Sequence, residues 1–402
     1  MADNSGIYDL TAAQVMNFYC TTGSVPANFE GGFIEISSDN VHVVYIPIGS
    51  LDTFIPLDTE GTSNSYIADR GAASYSFTAT IMGNGADGII DEGKFEDASG
   101  NILTKAGGAN IHPLSAKLLW QDTDELVEQV ALVNGRVQVK MGRSRGNALI
   151  AVYDKANPNA EDAKVLWSWH LWCTPVPQII ECATSIYTGN NYKVMDRNLG
   201  ATTSEPNLGT TQGLHYQFGR KDPFSGSLSY DGERTILYDV RSSTSILKAE
   251  IIDEAIQIRQ ALNFPDIYFL RHSDQEDWYE GVGAHYLWGN PEGRASVHPV
   301  KTTKTIYDPC PIGYKVPPVD ALILKMKSYS QYEHGGIYYA GEEGDNTKLI
   351  NMPAVHSAYY AYGTSIAYWT SSDFGKPNST FEWGEFGVMH TYYPGSYTLR
   401  YN

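Results

Sequence analysis

Acidic side chains beside aromatic rings are the residues of this sequence best suited to binding or catalytic chemistry. One group places Asp274 and Glu276 next to Trp278, and a second places Glu382 next to Trp383. Paired carboxylates flanked by rings occur in glycoside hydrolysis, in sugar binding and in calcium binding. The sequence leaves these three uses open, and we assign no residue a catalytic role.

Aromatic and amide side chains accompany these carboxylates in two segments, residues 274–291 and 359–383. A Tyr or Trp ring that is exposed in a loop stacks on a sugar or a peptide and loses little conformational entropy when it does so. We therefore predict a ligand-binding surface formed by these two segments. Its candidate residues are Asp274, Glu276, Trp278, Trp288, Asn290, Tyr359, Tyr360, Tyr362, Glu382 and Trp383.

The motifs of the best-known enzyme families do not occur in the sequence. It contains no GxxxxGK[ST], no HExxH and no GxSxG. Residues 84–93 (NGADGIIDEG) resemble a calcium-binding loop in composition, but they lack the ligand order and the closing Glu of an EF-hand. We interpret them as a solvated turn and expect no cofactor, with calcium as the one candidate left open.

The charge and composition of the 402 residues restrict the classes of partner. A net charge of −18 argues against nucleic acid and anionic membranes, because both select clustered Lys and Arg. No run of about 18 apolar residues occurs, so no transmembrane segment is predicted. The first six residues lack the basic and apolar regions of a signal peptide. If the protein is exported, its signal segment is therefore absent from this chain.

The four cysteines are Cys20, Cys173, Cys182 and Cys310, and their spacing is not that of a zinc site. Four cysteines allow three disulfide pairings, and the sequence does not select one of them. Cys173 and Cys182 are close enough in the chain for a local bridge. Buried free thiols are an equal alternative.

Alternation of apolar and polar residues indicates β-structure in the first half of the chain. Residues 33–36 and 41–46 flank turn-forming residues and predict a hairpin. Residues 75–81 alternate with the period of a half-buried strand. Within residues 127–141, two alternating segments enclose Asn134-Gly135, the pair preferred in type I′ hairpin turns.

Two further segments, residues 148–153 and 165–173, are apolar on both faces of the predicted strand. The second contains three Trp residues that would face both ways, which predicts a strand between two layers with its rings in the core or in an interface. Residues 174–177 (TPVP) read as a linker, because two prolines interrupt strand pairing.

Beyond this linker the pattern indicates helices and short strands. With Ser245 as its N-cap, a helix is predicted over residues 245–261, with Ile246 and Ile251 near its apolar face. A second helix is predicted from Pro318 to about Lys327, and a strand from about Ile366 to Ser371. The predicted fold is therefore mainly β with α+β parts. The predicted boundaries are 1–60 for an unplaced β segment, 61–175 for a β-sandwich and 176–402 for an α+β domain.

Four motifs in the second half follow one another in the order of a known family. They are residues 192–201 (YKVMDRNLGA), 215–224 (HYQFGRKDPF), 307–317 (YDPCPIGYKVP) and 368–372 (YWTSS). In this order they resemble the Fibrobacter succinogenes major paralogous domain, which occurs in exported proteins of Bacteroidetes and is grouped with C-type-lectin-like folds. Residues 63–67, 87–93, 116–122, 146–152 and 166–170 are similar to the region that precedes this domain in Bacteroides surface and fimbrial tip-like proteins. The resemblance covers about residues 62–402.

The resemblance implies a C-type-lectin-like domain over residues 176–402 of an exported protein at the cell surface or outer membrane. The implied function is that of a non-catalytic adhesin or pilus tip-like subunit. Its partners would be a host or microbial glycan or protein ligand and other pilus subunits. A structural assembly subunit without a ligand and an enzyme acting on surface polysaccharide are the alternatives.

Most motif residues are expected to hold the fold together rather than touch a ligand, because charged groups in Gly-bounded turns form hydrogen-bonded networks. These residues are Asp196, Arg197, Asn198, Arg220 and Asp222. Related domains commonly end in a strand whose Cys pairs with the Cys of the third motif. The last residues, 397–402, contain no Cys, so Cys310 is expected to be free or paired elsewhere. The run Trp288-Gly289-Asn290-Pro291 departs from the Trp-Asn-Asp run of a C-type lectin calcium site.

Overall fold

The computed structural model describes residues 32–36, 44–48, 54–318, 329–332, 335–339, 349–353, 365–369 and 388–392, with gaps inside the third range. The gaps are residues 70, 72, 88–93, 105–107, 182–189, 205–209, 211–212, 226–235, 272–277, 280–283 and 292–300. The chain forms two compact units, residues 1–53 and 54–402. In the first unit, β1 (Gly32–Ile36) pairs antiparallel with β2 (Val44–Ile48), so the predicted hairpin is confirmed.

The second unit begins with eight strands that contribute to two sheets. They are β3 (Ile55–Pro56), β4 (Ser65–Ala68), β5 (Ser74–Thr78), β6 (Ser115–Gln121), β7 (Val127–Val133), β8 (Arg136–Met141), β9 (Gly146–Tyr153) and β10 (Val165–Cys173). One sheet has four strands in the order β3-β5-β8-β7. In the other sheet β6, β9, β10 and β4 are successive neighbours. The β4–β10 and β3–β5 pairs are parallel, and the other pairs among these strands are antiparallel.

Residues beyond the predicted linker extend the second sheet to six strands. The next elements are β11 (Ile179–Glu181), β12 (Lys193–Met195), β13 (Ile236–Tyr238), β14 (Thr244–Ile246), β15 (Lys248–Ile252), α1 (Ile258–Asn263) and β16 (Ile267–Arg271). The complete order of this sheet is β14-β13-β6-β9-β10-β4. β15 and β16 form a separate parallel pair connected through α1, and β11 pairs antiparallel with β12.

The last described strands form two antiparallel sheets. They are β17 (Tyr329–Tyr332), β18 (Gly335–Tyr339), β19 (Leu349–Pro353), β20 (Ser365–Trp369) and β21 (Val388–Tyr392). β17, β18 and β19 pair in sequence order, and β20 pairs with β21. β20 lies where a strand was predicted from Ile366, whereas the helix predicted from Pro318 lies almost entirely outside the described residues. The described fold is mainly β, as predicted, while the sandwich and lectin-like assignments stay predictions.

The turn between β7 and β8 shows how local sequence determines this architecture. Asn134 and Gly135 have φ of 49° and 75°, the two positive values that a type I′ turn requires. This turn matches the right-handed twist of the flanking strands. It also fixes the register that buries Val137 and Val139 while Arg136 stays half-exposed. The predicted hairpin is confirmed.

One hydrophobic core joins residues on both sides of the linker. Within it, Phe77 of the four-stranded sheet contacts Trp169 of the six-stranded sheet, with ring centroids 5.4 Å apart. The ring of Trp167 stacks on Tyr307 at a centroid distance of 6.1 Å. The boundary near residue 175 stays a prediction, but the two regions that it separates share this core.

The Trp-rich strand β10 has the predicted environment. Trp167, Trp169 and Trp172 are all buried, and the neighbouring strand β9 is buried along its whole length. A strand covered on both faces needs apolar residues at successive positions. The interpretation of these rings as core residues is therefore confirmed.

The two described cysteines, Cys173 and Cys310, are buried free thiols. Burial raises the pKa of both thiols, which disfavours the reactive thiolate. Of the two alternatives for Cys173, the structure has the free thiol rather than a bridge to Cys182. Cys20 and Cys182 lie outside the described residues.

The helix predicted over residues 245–261 is wrong in most of its length. Residues 244–252 form β14 and β15, and α1 begins only at Ile258. β-branched residues at Ile246, Ile251 and Ile252 favour a strand, and β15 gains a five-residue ladder with β16. This tertiary pairing outweighs the helical spacing of the apolar residues.

Candidate functional site

The guanidinium of Arg220 occupies the centre of the second motif and is fully buried. It donates hydrogen bonds of 2.8–3.2 Å and lies over the faces of three aromatic rings. The acceptors are the Gln217 Oε1 atom and the carbonyl oxygens of Ala261, Phe264 and Ile267, and the rings are those of Phe224, Phe269 and Trp278. Arg220 thus ties the end of α1 to the start of β16.

Lys221 and Asp222 form a second buried charged group beside Ser168. The Lys221 Nζ atom lies 2.5 Å from Asp222 Oδ1 and 2.5 Å from Ser168 Oγ, and it also lies over the Trp167 ring. The Ser168 hydroxyl donates to Asp222 Oδ1 at 2.6 Å. A Ser–Lys pair can act as nucleophile and base, but here both side chains are about 1% exposed and use their polar atoms internally.

A third buried group joins Ser65, His170, Asn147 and Asp122. The His170 Nε2–H donates to Asn147 Oδ1 at 2.9 Å, because the Asn147 amide nitrogen donates to Asp122 Oδ2 at 2.7 Å. The Ser65 Oγ atom lies 3.0 Å from His170 Nδ1 and 2.6 Å from the Pro309 carbonyl oxygen, so its single hydrogen serves two acceptors. These residues resemble a nucleophile with its base, yet Ser65 and His170 are buried beyond the reach of a substrate.

We expect His170 to stay neutral at physiological pH, because burial lowers its pKa to about 3. An imidazole in the unfolded chain titrates near pH 6.5. Between these values the unfolded chain binds more protons, so acidification lowers the free energy of unfolding by up to about 1.4 kcal/mol per pH unit. Urea unfolding at pH 7 and pH 5 should show that the free energy of unfolding decreases less on acidification for His170→Gln than for the wild type. Equal losses in the two proteins would contradict this.

The third motif is held by the carboxylate of Asp308. Its Oδ1 accepts from the Cys310 N–H and its Oδ2 from the Val316 N–H, both at 2.9 Å. The Asn64 side chain donates to the carbonyl oxygens of Ile306 and Asp308 at 2.7 and 2.8 Å. The turn of residues 306–310 is therefore fastened to the start of β4.

The first motif contains a bidentate ion pair between neighbours, Asp196 and Arg197, with N–O distances of 2.8 and 2.9 Å. Arg197 also donates to the Thr174 hydroxyl at 3.1 Å. Together with the buried Arg220 and Asp222, this pair supports the prediction that the charged motif residues hold the fold together.

An open cleft of about 330 Å³ among the described residues offers space for a ligand. It is lined by residues of β15, the following turn, α1 and β16, namely Glu250, Ile251, Ile252, Asp253, Glu254, Ile256, Gln260, Phe264 and Phe269. The side chains of Ile252, Ile256 and Phe269 are buried in its wall, whereas Ile251 and Phe264 are 61% and 51% exposed. We refer to this feature as the acidic cleft, because its three ionisable side chains are carboxylates.

Three of the predicted site residues lie in the core instead of on a binding surface. The Trp278 indole donates to the Phe218 carbonyl oxygen at 3.0 Å, and the Trp288 ring contacts the Phe218 ring at 5.1 Å. Trp278, Trp288 and Asn290 are 8%, 1% and 0% exposed. Their expected exposure is therefore wrong, and the motif loop around Phe218 covers the two Trp rings.

The other predicted site residues lie outside the described residues. These are Asp274, Glu276, Tyr359, Tyr360, Tyr362, Glu382 and Trp383. The part of the chain with described side chains contains no group of three or more His, Cys, Asp or Glu side chains that could hold a metal ion. None of its helices is long and apolar enough to cross a membrane.

The acidic cleft was missed by the sequence reasoning. Its wall, residues 250–256, fell within the wrongly predicted helix, which placed Ile251 on a buried face. The β-branched content of residues 244–252 was the signal that would have indicated a strand, but local sequence carries no signal for the cleft beside it.

Fold and site together define a mainly β protein with internal charged motifs and an open acidic cleft. Comparison of the chain with protein-family models, curated proteins and solved structures finds no match in any of the three.

Proposed function

We propose that this chain is a non-catalytic recognition protein of the bacterial cell surface, an adhesin or pilus tip-like subunit whose C-terminal domain is C-type-lectin-like. The ordered motifs between residues 192 and 372 support the family and the export. One structural observation carries the recognition role. The described Ser–Lys and Ser–His pairs are buried and saturated by internal hydrogen bonds, whereas the acidic cleft is open and has exposed apolar side chains.

The ligand of this protein is a host or microbial protein or glycan. Binding requires exposed side chains that gain contacts on association, and Ile251 and Phe264 meet this condition. The candidate residues outside the described part, such as Tyr360 and Trp383, extend the same proposal to the segment of residues 359–383. An acidic chain also fits a ligand that is not nucleic acid.

A structural assembly subunit is the second candidate, and one observation favours it. Ile236 of β13 and Ile246 of β14 are register partners at the edge of the six-stranded sheet, and they are 48% and 45% exposed. An exposed apolar pair at a sheet edge suits contact with a neighbouring subunit.

Binding assays with the purified chain distinguish these two functions. We expect binding to a glycan array or to immobilised host surface proteins, and we expect Trp383→Ala to weaken it by about tenfold or more. Trp167→Phe, a conservative change in the core, should leave binding unchanged. Absence of binding on both surfaces, with detection of the protein along whole filaments, would favour the assembly subunit instead.

A further inference from the structure

Among the described residues, one edge of the strand β15 has no partner strand, and residues 250–252 of this strand line the acidic cleft. It pairs with β16 on one side only, in a two-stranded parallel sheet. Its residues 248–252 make no other backbone hydrogen bond to the described residues. In a parallel pair, alternate residues direct their N–H and C=O groups away from the partner strand. The outer edge of β15 is therefore able to receive another extended chain.

The side chains next to this edge combine apolar contact with negative charge. Ile251 and Phe264 expose most of their apolar surface, and Ile252, Ile256 and Phe269 continue the apolar lining into the cleft. Glu250 and Glu254 are exposed and form no ion pair with a described residue. The ligand that complements this lining carries positive charge next to apolar groups.

The polar groups of the lining favour a peptide over a sugar. They are three carboxylates and one carboxamide, Gln260, which is the one side chain able to donate hydrogen bonds. Carboxylates also accept hydrogen bonds from sugar hydroxyls, but a Lys or Arg side chain adds the charge-assisted hydrogen bonds that a neutral sugar cannot form. A second copy of this chain, with its net charge of −18, would meet the cleft with electrostatic repulsion.

We propose that the acidic cleft binds an extended peptide segment in which Lys or Arg alternates with aliphatic or aromatic residues, paired through its backbone to the free edge of β15. This proposal names the partner class and rests on the proposed recognition function. The basic side chains of the segment would approach Glu250 and Glu254. Its apolar side chains would cover Ile251 and Phe264.

The test uses fluorescence anisotropy with the labelled peptide acetyl-(Lys-Val)3-Lys-amide. We expect binding with a Kd of the order of 10–100 µM at low salt, which weakens several-fold when salt screens the charges. The double variant Glu250→Lys/Glu254→Lys should weaken binding by about tenfold or more. The matched control, Asp124→Lys/Glu161→Lys, makes the same charge change at two exposed positions of other loops and should stay within about twofold.

Three further peptides test the backbone pairing and the charge. One peptide carries N-methyl groups on its Val residues, and another carries them on its Lys residues. One of these two peptides should not bind, because its methyl groups replace the N–H groups that face β15. The peptide with Glu in place of Lys should not bind. The proposal is overturned if the Lys and Glu peptides bind with equal affinity. It is also overturned if both methylated peptides bind as tightly as the parent peptide, or if the two double variants bind the Lys peptide with equal affinity.

Other occupants of the cleft are separate outcomes of the same experiment. If the Lys peptide does not bind, and the Glu250→Lys/Glu254→Lys variant loses glycan binding or self-association instead, the occupant is a sugar or a second copy and the proposal is overturned. If the Lys peptide does not bind while the chain still binds the array or host proteins, this inference fails and the proposed function stands. If all binding is absent, both fail.

Discussion

Replacing Arg220 with alanine should lower the free energy of unfolding by about 3–5 kcal/mol. The guanidinium is buried, and its removal takes one hydrogen bond from each of the carbonyl oxygens of Ala261, Phe264 and Ile267. The cation also leaves a cavity among the rings of Phe224 and Phe269. Urea denaturation followed by tryptophan fluorescence measures the change.

A surface arginine supplies the control for this experiment. Arg241 is more than half exposed, and its ion pair with Asp239 has an N–O distance of 3.5 Å. Arg241→Ala should therefore change stability by less than about 1 kcal/mol. A loss for Arg220→Ala that is no larger than this would show that the buried guanidinium does not hold α1 against β16.

The strand pairs and the core of the described fold were predictable where local signals agreed. The Asn134-Gly135 turn selects one hairpin register, and the apolar residues of β10 on both faces demand burial. Prediction failed at residues 245–261, where the spacing of the apolar residues indicates a helix but the β-branched residues favour a strand. The choice there depends on β16, whose pairing with β15 is a contact across α1 that local patterns do not contain.

The scaffold role of the charged motif residues was predictable, but the cleft was not. Arg220 and Asp222 lie in a Gly-bounded, aromatic segment, and such charges are stable in a core only when they are paired. The prediction for the aromatic segment near Trp278 was wrong, because its rings were expected to be exposed and are buried. A Trp beside carboxylates has the same sequence pattern whether its ring is exposed or covered, and the covering residue, Phe218, is about 60 positions away.

Burial of the motifs also has a consequence for function. The three motifs join β4, β10, α1 and β16 through hydrogen bonds between distant parts of the chain, such as Asn64 with Ile306 and Gln217 with Phe269. The side chains that contact a ligand need fixed neighbours that hold them in place. The motifs supply the fixed neighbours, so specificity is expected from residues between them, including Glu250 and Phe264.

The substitution Asp222→Ala should lower the free energy of unfolding by about 3–5 kcal/mol at pH 7 and by clearly less at pH 9.5. Burial lowers the pKa of Lys221, while the neighbouring carboxylate of Asp222 opposes this effect. Without Asp222 the pKa of Lys221 in the folded protein falls further below the value of about 10.4 that applies in the unfolded chain. Between the two values the unfolded chain binds more protons, so stability rises as the pH rises.

This pH dependence separates a charge effect from a packing effect. For Asp222→Ala, the free energy of unfolding should increase relative to the wild type by up to about 1.4 kcal/mol per pH unit between pH 7 and pH 9.5. The double variant Lys221→Met/Asp222→Leu has no buried charge to neutralise, so its difference from the wild type should vary less with pH and should be smaller at pH 7. A deficit of Asp222→Ala that is the same at both pH values would mean that Lys221 is not left charged and unpaired. The loss would then arise from the missing hydrogen bond to Ser168 and the missing contact with Arg220.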